Sequence, residues 1–391
     1  MYRWILTLAL FCWFTPVQAL GQLIPSYPIK SGSATVSKTS DAWRVKSEKL
    51  RLAEDDLKLV YFADEQTGWI SDGGNLYKTI NRGSTWNKIA LDTPESGKIE
   101  KIQCTSLSFC WLLVQGRSTW NGKNEENFYY LYKSTDAGTT WLLNRNEIGI
   151  ALNSVLFTRS GNGWLVGTAS PFDYHRSRAY ALVTRDNGQT WQDVGKNILD
   201  SLPDPSTPFE RYANNQLIGV TALKDGSVRI ATFDHRILRT MDGGIAWFGQ
   251  DIKRDFQEGL NFFDFGSTNE GRLWMVGSAA REEGTGSALI IEIGENNWVR
   301  QEAGSIYLSD LISVHGDKFY ACGYEETVRD NGDKKEFIKT GVVFEITNSG
   351  RVWTPIHRDP SVENIRSISL TGGKSMLAVG DKGRMFWLTR K

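Results

Sequence analysis

The chain is poor in the residues that metal and phosphate chemistry need. Its 391 residues include 4 histidines, 4 cysteines and 10 prolines. His175, His235, His315 and His357 are scattered and lack metal-ligand spacing. Asp330-Asn331-Gly332-Asp333 is an acidic loop without the rest of a calcium-binding pattern. The glycines form no phosphate-binding loop that opens a helix. No metal or cofactor is therefore expected. Lys plus Arg equals Asp plus Glu at 45 each, so no global field attracts nucleic acid.

Long apolar runs are also scarce. The N-terminal one, from Ile5 to Phe14, is too short for a comfortable membrane span. It follows Arg3 and precedes Val17-Gln18-Ala19, the pattern of a secretory signal cleaved after Ala19; the alternative is an uncleaved anchor. Cys12 follows the bulky Phe11, which argues against a lipoprotein cleavage site. A soluble periplasmic or secreted protein is the expectation. Cys104 and Cys110 then meet an oxidising compartment, and a strand-turn-strand segment can bring them within disulfide distance; the alternative is two separate buried thiols. Cys322, in an apolar strand, reads as a small core residue.

What the chain has in quantity is glycine, 38 residues, and tryptophan, 15 residues, which fits short strands joined by tight turns. Four copies of one pattern, Ser/Thr-x-Asp-x-Gly-x-Thr-Trp, organise it. They run from Thr79 to Trp86, Ser134 to Trp141, Thr184 to Trp191 and Thr240 to Trp247, with Asn81 replacing the acid in the first. Two weaker copies end at Trp298 and Trp353. An apolar strand, a turn, a strand opening on a Gly-Trp-like step, a variable loop and a third strand precede each box. Four antiparallel strands per repeat, recurring at about 50–56 residues, make a propeller blade.

Six blades are complete. After Trp353 the chain supplies three more strands and stops, and Ala42 to Ser47, with Trp43 in the place of the closing Trp, is the candidate fourth. The predicted fold is all-β: a seven-bladed propeller over residues 41–391, closed by an N-terminal strand in the last blade. Residues 20–40 read as an extended lead-in. In each box, turn chemistry accounts for the acid (Asn81, Asp136, Asp186, Asp242) and the glycine. The tryptophans (Trp86, Trp141, Trp191, Trp247) fill the space between blades, each indole N–H needing one partner. No catalytic residue is assigned.

The boxes resemble the Asp-box, or bacterial neuraminidase repeat, of sialidases and sortilin-type receptors. The whole arrangement, over roughly residues 41–391, is similar to the photosystem II stability and assembly-factor family and its relatives in non-photosynthetic bacteria. That resemblance implies a seven-bladed, non-enzymatic protein that binds membrane-protein clients. A sialidase-type glycoside hydrolase is the runner-up, and it needs three converging arginines, a Tyr–Glu pair and a free Asp; Leu23-Ile24-Pro25 lacks the family's Arg. A toxin-neutralising or receptor-like binding protein is a third reading.

The boxes also orient the search. They mark one face, and the longer connections fall on the other: Gln115 to Asn127, Ala169 to Arg178, Val194 to Asn214, Ser278 to Ser287 and Glu325 to Lys339. Candidate binding residues there are Tyr174, His175, Arg176, Arg178, Glu210, Arg211, Tyr212, Arg254 and Arg281. Aromatic and Arg side chains are enriched among interface anchors. The expected partner is a protein, with a membrane-protein client or a glycan as narrower forms and no nucleic acid; the expected state is a monomer.

Overall fold

Continuous runs of apolar and small residues in the inner strands, such as Gly68–Ser71 and Gly163–Ala169, produce sheets buried on both faces, because each blade packs against a neighbour on either side. The computed structural model describes residues 26–50, 56–93, 97–116, 128–169, 177–200, 216–233, 236–253, 260–279, 286–294, 297–330, 332 and 335–391. Blades 1, 2 and 3 are separate four-stranded antiparallel sheets opening at Leu59, Lys98 and Ile150. Blades 4, 5 and 6 open at Leu217, Leu260 and Ile306. Blade 7 comprises Ile365–Gly372, Ser375–Gly380 and Arg384–Arg390, completed by the N-terminal strand Trp43–Lys49. This is the predicted seven-bladed ring and its predicted closure.

Seven hydrophobic clusters fill the seven seams between blades. Each contains one blade-closing tryptophan: Trp86, Trp141, Trp191, Trp247, Trp298, Trp353 and Trp43 in blade order. Trp298 and Trp353 are fully buried, and Trp191 is half-buried. The expectation that every indole finds an acceptor needs correction. Trp247 and Trp353 donate to the carbonyls of Gly244 and Gly350 at 3.2 and 2.7 Å. Among the described residues, Trp86, Trp141, Trp191 and Trp298 have no hydrogen-bond partner for the indole N–H. Their apolar area fills the seam, and the orphaned donor is a cost the packing outweighs.

The lead-in is more ordered than an extended connector. Strand β1 (Ser26–Ser33) lies parallel to the outer strand of blade 4 and then to that of blade 5. Strand β2 (Thr35–Val36) pairs in parallel with the outer strand of blade 6. The N-terminal segment thus covers three consecutive sheet edges before entering blade 7 as β3 (Trp43–Lys49). Unpaired edges invite wrong partners, so this strap protects three of the seven outer edges. Residues 1–19, the proposed signal, lie outside the described residues.

Two connections differ from the loops expected. Glu325 to Lys339 is not a separate loop: strands Lys318–Asp330 and Lys335–Thr347 continue into it as one long hairpin. The connection after Val194 begins with a short helix, Gly195–Asp200.

Candidate functional site

The box turns form a joint between blades. In the second box the Asp136 carboxylate accepts from the Thr139 and Thr140 backbone N–H groups and the Thr140 hydroxyl, while the Ser134 hydroxyl also donates to it. The Ser134 oxygen in turn accepts from the Gly138 N–H at 2.8 Å. Ala137 and Gly138 both adopt left-handed backbone, φ 59° and 69°. Hydrogen bonds led by those from Thr140 hold the Asp136 carboxyl down at about 2, and the Thr190 hydroxyl and N–H do the same for Asp186. Both are ionised at neutral pH and have no proton to give as general acids. Backbone bonds likewise lower Asp242.

The turn rests on the preceding blade. Trp69 of blade 1 donates to the Gly138 carbonyl at 3.4 Å, and Lys78 Nζ donates to Thr139 Oγ1 at 2.9 Å. One blade on, Gly188 lies against Trp111, and Lys133 Nζ donates to the Asn187 carbonyl at 2.7 Å. These contacts account for the box residues as architecture.

The strands alternate in direction, so the turns between second and third strands gather on the face opposite the boxes. A cavity of about 710 Å³ opens there at the inner ends of the blades. Asp72 to Gly74, from the blade 1 turn, and Lys98 to Glu100, from the start of blade 2, form one side; Lys58, Ser309 and Arg366 form the rest. Much of its charge is committed. Asp72 accepts from the Gly74 and Asn75 N–H groups, the Asn75 amide and the Tyr77 hydroxyl. Arg366 is held by Asp381 at 2.6 Å and Asp56 at 3.3 Å. Lys98 and Glu100 face solvent. Desolvation raises Glu100 above the ordinary carboxylate value, with Lys98 opposing it.

Deeper in the ring, Asp264 of blade 5 keeps partial exposure on the innermost strand. Desolvation pushes its carboxyl up to about 7, the charge of Lys101 in blade 2 opposes this, and Asp310 adds to it. Asp310 is anchored, accepting from the Ser367 hydroxyl and the Ile368 N–H at 2.8 and 2.9 Å.

Of the binding residues expected from sequence, Arg178 is described. It is exposed at the start of Arg178–Thr184 and lines a groove of about 440 Å³ between blades 2 and 3, with Arg145, Glu147, Tyr180 and Asp193. There the Tyr129 and Tyr180 hydroxyls meet at 2.5 Å, and Arg145 Nε donates to Tyr129 at 3.1 Å. Desolvation holds Tyr129 up at about 12, so it is a neutral phenol in a seam. Tyr174, His175, Arg176, Glu210, Arg211, Tyr212, Arg254 and Arg281 lie outside the described residues. Among the described residues no three arginines converge with a Tyr–Glu pair at the cavity on the face opposite the boxes. None of Lys58, Lys98, Glu100 and Arg366 was singled out from sequence. Their signal was weak but present: each lies at or beside the start of a blade's first strand.

Cys104 and Cys110 are joined by a disulfide across the first hairpin of blade 2, and Cys322 is a buried free thiol. Burial raises the Cys322 thiol well above its ordinary value.

No protein-family model matches the chain. No curated protein sequence matches it. Solved structures do resemble it. YCF48 bound to D1 peptide superposes with a TM-score of 0.58 at 14% identity, covering 94% of this chain and all of that one. YCF48 from Cyanidioschyzon merolae gives 0.56 at 15% identity over 89% of this chain and 98% of its own. Virginiamycin B lyase from Staphylococcus aureus gives 0.56 at 13% identity over 89% and 99%. At such identity the likeness is one of fold, and the fold serves a peptide binder and a lyase alike.

Proposed function

We propose that this chain is an exported, non-enzymatic propeller that binds a protein partner on the face opposite its box turns. The supporting observation is the division of labour among its charges. Box carboxylates, Asp72 and Arg366 are tied into turns and seams, whereas Lys98 and Glu100 are exposed at the cavity on the other face. Such a surface offers polar contacts to a partner. A YCF48 propeller has been captured with a D1 peptide, and an assembly or stability role for an envelope protein is the specific form favoured here. Asp-box sialidase chemistry is the alternative.

The test is crosslinking in the envelope fraction, comparing the native protein with a Lys98→Glu/Glu100→Lys double variant. The proposal expects a protein adduct in the native sample that the charge-reversed surface loses. An adduct retained unchanged, or hydrolysis of a fluorogenic sialoside by the purified protein, overturns it.

A further inference from the structure

The joint between box and tryptophan is absent at the seam between blades 4 and 5, and something else is built there. In blades 1, 2 and 3 the second strand carries Trp69, Trp111 and Trp164 against the next blade's box. In blades 1 and 2 the third-strand residue directly opposite is a lysine, Lys78 or Lys133. Each lysine lies over its tryptophan, at 5.9 and 5.3 Å from the ring centroid, and donates into that box. Blade 4 departs from this in both residues. Arg229 holds the tryptophan's place, and the residue directly opposite it is Arg239.

Blade 5, the next blade, has no box to receive them. Its third strand ends at Gly294 and its fourth begins at Asn297, whereas in blade 2 the corresponding limits are Ser134 and Leu142. A groove of about 440 Å³ is left open, lined among others by Arg229, Arg239, Phe248, Gln250 and Arg272.

Like charges directly opposite on an antiparallel pair repel. Internal compensation for this pair is incomplete. Arg229 donates to the Ser227 hydroxyl at 2.6 Å. Among the described residues, Arg239 reaches the Met241 sulfur at 3.1 Å and the Asp225 carboxylate at 3.8 Å. Glu292 lines the groove but its carboxylate also accepts the Leu273 N–H, and Glu270 accepts from Gly316 in blade 6. Desolvation and then the Arg239 charge depress the pKa of Arg229, with Asp225 and Glu292 opposing. A second, independent feature indicates the same chemistry. Among the described residues, Gln250 Nε2 is buried in this groove with no acceptor. Beside them, Phe248 exposes more than half its surface in register with Arg239.

We infer that the seam between blades 4 and 5 is a binding site for a carboxylate attached to an apolar or aromatic body. The Arg229 and Arg239 guanidiniums and the Gln250 amide supply donors to the carboxylate, and Phe248 supplies a face for the body. The site lies on the box side of the ring, so it is separate from the surface in the proposed function and stands or falls independently of it. The carboxylate could belong to a free aromatic acid or to the C-terminus of a peptide, which the experiment separates.

The experiment is titration of the full mature chain with benzoate and with benzamide, its neutral isostere, followed by calorimetry and by the Gln250 side-chain amide resonances. Benzoate is expected to shift those resonances and to bind at least tenfold more tightly than benzamide. Arg229→Gln and Arg239→Gln are each expected to weaken benzoate at least tenfold, while Arg329→Gln on the blade 6 hairpin leaves it unchanged. Arg239→Gln, at an exposed position, keeps the test valid if Arg229→Gln fails to fold. Acetyl-Ala-Phe and its C-terminal amide form the second arm: acid binding tighter than benzoate assigns the site to a peptide terminus, and weaker binding assigns it to a free acid. Equal binding of benzoate and benzamide, or benzoate binding unaffected by Arg239→Gln, overturns the inference.

Discussion

Gly138 lies against the indole of Trp69 so closely that a Cβ on the glycine would sit 2.5 Å from Cζ2 of the ring. One residue belongs to the box of blade 2 and the other to the second strand of blade 1. The two most visible sequence features, the box and the Gly-Trp step, are therefore halves of one repeated joint between blades.

That contact separates steric from backbone effects. Gly138→Ala is expected to lose about 1–2 kcal/mol from left-handed backbone and a further 1–3 kcal/mol from overpacking. Gly149, with φ 74° and nothing within 4 Å of a built Cβ, isolates the first term, so Gly149→Ala is expected to cost only about 1–2 kcal/mol. Chemical denaturation of both variants measures the difference. Equal losses would remove the steric role of the joint.

Trp141 fills the seam between blades 1 and 2 and is 8% exposed. Trp141→Ala is expected to cost about 3–5 kcal/mol through lost burial and cavity formation. An unchanged melting temperature would contradict the seam-packing account.

Asp264 makes stability depend on pH in a defined direction. Its folded pKa, raised to about 7 from 3.8, means that folding favours the protonated form. The stabilisation is full below about pH 4 and is lost as pH rises through 7. Asp264→Asn removes that dependence and is expected to raise stability by about 1–3 kcal/mol at pH 8 relative to its effect at pH 4. Melting curves of both proteins across this range are the check; parallel curves would refute it.

Removal of the strap tests what edge covering does. A chain beginning at Ser37 retains β3 and hence ring closure, but exposes the outer edges of blades 4, 5 and 6. It is expected to keep its strand content by circular dichroism while forming larger species in light scattering. Monodisperse behaviour like that of the longer chain would show that these edges need no cover.

Much of the fold was legible because the repeat writes its own geometry. Each box pairs a short acid-containing turn with a large aromatic residue, and the spacing of Trp86, Trp141, Trp191 and Trp247 counts the blades. Trp43 disclosed the closing strand because a closing aromatic residue is needed at every seam. The strap was not legible. Its parallel pairing is made by backbone groups, and Ile29 to Ser33 carry no side-chain pattern that names blade 5 as a partner. The blade 6 hairpin was missed for a related reason. Polar residues 325–339 look like a loop until cross-strand pairs such as Val328 with Phe337 are seen to continue the ladder.

The sites were less legible than the fold. Lys98, Glu100 and Arg366 come from blades 2 and 7, and Arg229 and Arg239 are ordinary charged strand residues in one dimension. By itself the sequence determined the blade count, the chemistry of the turns and the face on which the boxes lie, since these depend on contacts within a repeat or between successive repeats. Only the tertiary structure decided which edges the N-terminus covers, which charges meet at the cavity opposite the boxes, and which side chains line the groove between blades 4 and 5. Those outcomes depend on residues brought together by closure of the ring, or on a joint whose absence shows only when two blades are set side by side.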